Sequence, residues 1–160
     1  MREVVVITMH VNGVSRTLTI EPRETLGEVL RERLELTGLK ISCDEQVCGA
    51  CTILVDGRPV SACTMLAVDA DERLVRTVEG LMDGDRLSAL QQAFIDHGAF
   101  QCGYCTPGML MAATALLEDN PTPSREDVVD GLEGNLCRCT GYAPIIDAVL
   151  SAASDRGGRT

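Results

Sequence analysis

The chain has 160 residues, 45% of them hydrophobic, a formal net charge of −10 and eight cysteines. That length allows one domain or two small ones, and so acidic a balance excludes the basic patch that nucleic-acid phosphates require. With no Trp, two Phe and two Tyr, cores built from Leu, Val, Ile and Ala stay small, and small cores generally need metal or disulfide staples.

Residues 4–11 are rich in β-formers, and residues 14–20 alternate along the chain. Asn12-Gly13 between them predicts a hairpin, because both turn positions take positive φ. Thr25 and Glu28 have the spacing of a capping box. Leu26, Val29, Leu30 and Leu34 then recur at helical spacing, so a helix is predicted over 25–36, with Gly38 as its left-handed cap. An irregular loop carries the next cysteines. Asp56-Gly57 between runs 52–55 and 59–63 signals a second hairpin, and 74–78 reads as a last strand. Two hairpins with one helix crossing between them predict an α+β unit over 1–79.

Asp83-Gly84-Asp85 marks a linker over 80–86, and beyond it the hydrophobic period changes from two to 3.6. Ser88 with Gln91 caps a helix carrying Leu90, Ala93, Phe94 and His97, closed by Gly98. Thr106-Pro107 opens a second, with Pro where its missing N–H costs nothing. Leu110, Ala113, Leu116 and Leu117 line its inner face. Ser124 with Asp127 starts a third through Val128, Val129 and Leu132. Pro144 opens a fourth with Ile145, Ile146, Val149 and Leu150. From Ser154 the chain reads as a polar, Gly-rich tail without fixed structure. The second domain, 87–160, is expected to be a four-helix bundle.

The N-terminus lacks the basic segment, apolar run and cleavage site of a secretory signal, and no stretch approaches the length of a membrane span. A cytoplasmic location is therefore expected. Thiols stay reduced there, so clustered cysteines point to metal or redox chemistry. A secreted chain with four disulfides is the weakest reading.

Cys43, Cys48 and Cys51 are spaced C-x4-C-x2-C, with Cys63 beyond. This is the plant-type 2Fe–2S spacing. A tight loop lets backbone N–H groups face the sulfurs, and Gly49 and Ala50 allow close approach. Cys63, at a strand end, closes the set. No His lies nearby, so an all-thiolate cluster of low potential is expected here. Zinc is the bland alternative, but zinc sites usually pair short C-x2-C knuckles.

Cys102-x2-Cys105 and Cys137-x1-Cys139 make a second set of four on interhelical connections. Cys105 precedes a helix N-terminus, whose dipole favours thiolate. Spacing alone leaves iron–sulfur and zinc equally open for this set. A disulfide within Cys137-x-Cys139 is disfavoured by geometry. Two 2Fe–2S clusters, each of net charge −2 with its four thiolates, would bring the chain to about −14.

Three segments carry a resemblance: Cys48-Gly-Ala-Cys-Thr-Ile-Leu-Val-Asp-Gly57, Gln101-Cys-Gly-Tyr-Cys-Thr-Pro-Gly-Met109 and Gly134-Asn-Leu-Cys-Arg-Cys-Thr-Gly-Tyr142. Across residues 3–153 the chain resembles the small iron–sulfur subunit of the molybdenum hydroxylases, the xanthine dehydrogenase and aerobic carbon monoxide dehydrogenase family. The resemblance implies an N-terminal ferredoxin-like β-grasp domain followed by a C-terminal four-helix bundle, each with one 2Fe–2S cluster. It implies Cys102, Cys105, Cys137 and Cys139 on the molybdenum side, and Cys43, Cys48, Cys51 and Cys63 on the FAD side. Gln101 would hydrogen-bond the molybdopterin, and the Cys139 sulfur would lie against its amino group. A large molybdopterin subunit and a medium FAD subunit are the implied partners, in a dimer of heterotrimers, and a chain of this length resembles the separate small subunit. Electrons would run from molybdenum to FAD, with substrate chemistry left to the large subunit. Many relatives have Gly in the 44–47 loop, often at the place of Gln46, which puts the approach to the flavin subunit in question. The rivals are a free-standing two-cluster carrier and a zinc-stapled interaction module.

Bland roles fit several other residues. His10 in a strand and His97 at a helix end read as structural. Met109 and Met111 read as core or interface filler. Tyr142 reads as packing for a turn, and Glu118-Asp119 and Glu126-Asp127 as solvated helix-end charges. Arg138 stays open between balancing cluster or cofactor charge and an ordinary surface ion pair.

Overall fold

Asn12 and Gly13 take φ of 50° and 82° in the computed structural model, which describes residues 3–157, with side chains through 154. The turn they form sets β1 (Val5–Val11) antiparallel to β2 (Val14–Ile20), with Val5 opposite Ile20 and Val11 opposite Val14. Asp56 and Gly57 repeat the geometry at 50° and 78°, joining β3 (Thr52–Val55) to β4 (Arg58–Ser61). With β5 (Leu74–Arg76) the sheet runs β2-β1-β5-β3-β4. β5 lies parallel to β1 and antiparallel to β3. Pro59 falls on the outermost strand, where a missing donor is tolerated.

Both final strands are shorter than their sequence patterns predict. β4 stops at Ser61, whose carbonyl accepts from the N–H groups of Thr64 and Met65. Cys63 therefore lies in the turn after the strand. β5 stops at Arg76 because Thr77 turns its N–H to Asn12 Oδ1 (2.9 Å), and Val78–Leu81 then winds into a short 3₁₀ turn. The Asn12 side chain thus serves the start of the sheet and its end.

The predicted helix over 25–36 is shorter and wider than expected. The Thr25–Glu28 capping box forms, and α1 (Leu26–Glu28) continues as a π turn, Val29–Arg33. Glu35, at φ 57°, takes the left-handed position assigned to Gly38. The Leu36 N–H reaches back six residues to Leu30 O, a stop widened to match the π turn. Gly38 is required for a different reason. A Cβ there would meet Val78 Cγ1 at 2.5 Å. Leu26, Val29 and Leu30 press under the sheet beside Ile7, Met9, Ile20 and Ile53. Burying each such side chain contributes about 1.5–3 kcal/mol.

The second half holds α2 (Ala89–Asp96), α3 (Thr106–Asp119), α4 (Arg125–Gly131) and α5 (Ala143–Gly157). Ser88–Gln91 and Ser124–Asp127 form the capping boxes the sequence predicts. Leu90, Phe94, Met109, Leu117, Val128, Ile145 and Val149 make a second apolar core. α5 packs on α2 and α4 and keeps its helical backbone past Ser154 to Gly157. The expected loose tail is thus helical to that point, and its last residues, 158–160, lie outside the described residues. α3 is buried almost all round from Gly108 to Thr114, as a helix clasped on two sides must be. It packs on α2 and α4 and also lies against β3 and β4. Arg76 on β5 donates to both carboxylate oxygens of Glu118 at the end of α3 (2.7 Å), so Glu118 is not simply solvated. Among the described residues no helix is long and apolar enough to cross a membrane.

Candidate metal centres

The first set of thiols is wrapped by its own backbone. Asp44 and Gln46 sit at φ 59° and 61°, and this coiling turns the N–H groups of Val47 and Cys48 onto Cys43 Sγ, each at 3.4 Å. Hydrogen bonds from the backbone N–H groups of Glu45, Cys48 and Val47 pull the Cys43 thiol down to about 7. Positive φ at 46 is a conformation that favours Gly. Gln46 accepts that cost and takes a hydrogen bond from Thr64 Oγ1 to its Oε1 (3.1 Å). Cys51 is 2% exposed, and its burial, with Cys63 beside it, pushes its thiol up to about 11.

The second set is assembled from two distant connections. Cys102 and Cys139 face each other with sulfurs 3.5 Å apart, both exposed. Cys105 and Cys137 form the inner pair. Burial first, then the neighbouring Cys137 thiol, pushes Cys105 up to about 12. On Cys137, burial raises the pKa but is outweighed by hydrogen bonds from the Thr140 hydroxyl, 3.1 Å from the sulfur, and from the Thr140 and Cys139 N–H groups. Hydrogen bonding to the Tyr104 N–H lowers Cys102. The Cys137 N–H donates to Tyr142 Oη (2.9 Å), with Tyr142 itself at φ 70°. Tyr142 therefore supports a candidate ligand directly, beyond packing the turn. Nothing in the cysteine spacing signals that bond.

All eight cysteines are free thiols, and they pair two and two: 43 with 48, 51 with 63, 102 with 139, 105 with 137. Among the described residues no three His, Cys, Asp or Glu side chains converge as ligands of one ion would. Two thiols per iron, with two irons sharing sulfide, fit this arrangement. The Thr106 hydroxyl, next to Cys105, is buried without a partner among the described residues. An orphaned donor beside a candidate ligand suits a sulfide-bearing group.

Gln101 and Cys139 are brought together, with Gln101 Nε2 donating to Cys139 O (3.2 Å), and both are exposed. Arg138 is exposed and makes no ion pair among the described residues. His10 and His97 are exposed, and Met109 and Met111 are fully buried. A cleft of about 470 Å³ separates the two thiol sets and is lined by Cys48 and Ala50 on one side and Cys102, Cys105, Cys137 and Cys139 on the other.

Fold and sites together define a ferredoxin-like α+β protein with two iron–sulfur binding units. Residues 9–82 match the 2Fe-2S iron-sulfur cluster binding domain family, and residues 77–150 match the 2Fe-2S binding domain family. The chain is 54% identical to the nicotine 6-hydroxylase small subunit of Paenarthrobacter nicotinovorans, over 96% of this chain and 92% of that one. It is 48% identical to the nicotinate dehydrogenase small FeS subunit of Eubacterium barkeri, over 92% and 94% of the two chains. The crystal structure of quinoline 2-oxidoreductase from Pseudomonas putida 86 superimposes with a TM-score of 0.93 at 48% identity, covering 98% of this chain and 99% of that one. The chain belongs to the small iron–sulfur subunits of the molybdenum hydroxylase, or xanthine dehydrogenase, family. It is an electron-transfer subunit of a multi-subunit oxidoreductase.

Proposed function

We propose that this chain carries electrons from the molybdopterin centre of a large subunit to FAD on a medium subunit, within a dimer of heterotrimers. Cys102, Cys105, Cys137 and Cys139 hold the molybdenum-side cluster, and Cys43, Cys48, Cys51 and Cys63 hold the FAD-side cluster. A 2Fe–2S group held at each site supplies one-electron redox capacity. The chain divides into a β-grasp unit over 1–79, a join over 80–86 and a four-helix bundle over 87–160.

The observation that carries this reading is the exposed pair Gln101–Cys139 at the rim of the second site. An amide donor and a ligand sulfur presented outward together suit a polar, planar pterin edge on a partner. Arg138 between two candidate ligands leaves its guanidinium free to face cofactor phosphate. At the first site, Val47 is 60% exposed on the loop that wraps Cys43, giving an apolar contact for the flavin subunit. The N–H groups of Val47 and Cys48 point at Cys43 Sγ and favour negative charge there. Gln46, fixed by Thr64, shapes the same approach.

The test is purification of the native complex, with iron and acid-labile sulfide assayed per small subunit. About four of each, two distinct EPR signals on reduction and co-elution with two larger chains are expected. Substrates are then screened with a dye acceptor, N-heteroaromatics first, because the relatives above are named for nicotine, nicotinate and quinoline. A colourless, zinc-loaded chain, or one that always elutes alone, sinks the reading.

A further inference from the structure

Asn135 lies in the third resembling segment, two residues before Cys137, and no cluster or cofactor role falls to it. It is a polar side chain only 6% exposed. Its Nδ2 donates to Gly49 O at 2.8 Å and lies 3.2 Å from Thr52 Oγ1, across a sequence separation of more than eighty residues. Gly49 stands between Cys48 and Cys51. Its carbonyl also accepts from Thr52 N–H (3.1 Å) and Thr52 Oγ1 (2.8 Å), so three donors converge on one oxygen. The next residue, Leu136, donates its N–H to Cys48 O at 2.9 Å. Both contacts thus tie the peptides flanking a first-site ligand to the peptides preceding a second-site ligand.

Two glycines admit this approach. A Cβ on Gly108, in the first turn of α3, would meet Gly49 O at 2.2 Å. A Cβ on Gly49 would meet Gly134 O at 2.4 Å, and Gly49 also stands at φ 69°. Gly49, read from sequence as room for sulfur, is equally room for the other half of the molecule.

We propose that Asn135 is a positioning residue for inter-cluster electron transfer: its buried bond to Gly49 fixes the spacing between the two cluster-binding loops, independently of either ligand set. A buried amide satisfied on two acceptors resists sliding, because displacement leaves Gly49 O and the amide short of partners. Electron transfer between the sites depends on that spacing, and so does the magnetic interaction between two reduced clusters. The proposal rests on the reading that both sites hold 2Fe–2S clusters. Iron content and two EPR signals in the unaltered protein test that reading separately.

The experiment is Asn135→Ala in the holo-complex, read by EPR after full reduction. Both signals should persist with unchanged g-values, while the splitting from their mutual interaction weakens. Hydrogen exchange at the Leu136 N–H should quicken about tenfold, the effect of losing one buried hydrogen bond. Unchanged splitting overturns the proposal. If Asn135→Ala does not retain both clusters, Gly108→Ala carries the test, since it keeps every donor and crowds the same contact, pressing hardest on Gly49 O and more lightly on Ala50 O and Asn135 Nδ2. Weakened splitting there upholds the proposal and unchanged splitting overturns it. Loss of a cluster from both variants also overturns it, because the contact would then serve the ligand set instead of the spacing.

Discussion

The two thiol sites are built by different means. The first takes three of its cysteines from nine consecutive residues, and the loop's own N–H groups are turned inward by positive φ at Asp44 and Gln46. The second draws its pairs from connections more than thirty residues apart, and side chains support it where backbone coiling supports the first: Tyr142 on the Cys137 N–H and Thr140 on its sulfur. Local coiling makes the first site nearly self-sufficient. The second depends on α2 to α5 being packed, so its geometry is a product of the helical core.

That contrast is broken most directly by removing one ligand from each site. Cys63→Ser and Cys137→Ser should each lower iron from about four to about two per chain and abolish one EPR signal while sparing the other. Simultaneous loss of both signals in either variant would show that the sites do not form independently.

A smaller effect sharpens the same comparison. Tyr142→Phe leaves the part-buried Cys137 N–H without its acceptor, a cost of about 1 kcal/mol. The thermal midpoint should fall, and the second-site signal should bleach before the first. Bleaching in the opposite order would mean that the Tyr142 bond does not support the second site.

The smallest effect is one of protonation. In the cluster-free chain, Cys43 is held as thiolate down to about pH 7, while Cys51 and Cys105 stay protonated to about 11 and 12. A depressed thiol pKa contributes stability that is present above the ordinary thiol range near 9 and lost as pH falls through 7. Alkylation followed by mass spectrometry should label Cys43 with a half-point near pH 7, ahead of Cys51 and Cys105. A Cys43 half-point near 9 would show that the loop's N–H groups do not act on its sulfur.

Much of this was written locally in the chain. The Asn12-Gly13 and Asp56-Gly57 turns, the three capping boxes and the Pro107 helix start each depend on residues within four positions, and each forms as its pattern predicts. Several departures from prediction answered to distant partners. β5 ends early because Asn12 takes the Thr77 N–H. Gly38 is small because Val78 lies over it, while Glu35 takes the helix stop. Glu118 meets Arg76 across the two halves.

Sequence by itself determined the eight sulfurs, their grouping by four, the turn and cap chemistry, and the family to which the chain belongs, because spacing and local φ preferences are short-range properties. Tertiary structure alone decided which thiol faces which, that Tyr142 and Thr140 serve Cys137, and that Asn135 joins the loops of the two sites. Those contacts join residues from three to more than eighty positions apart, and only packing of α3 between the sheet and α2 and α4 brings the farthest of them into reach.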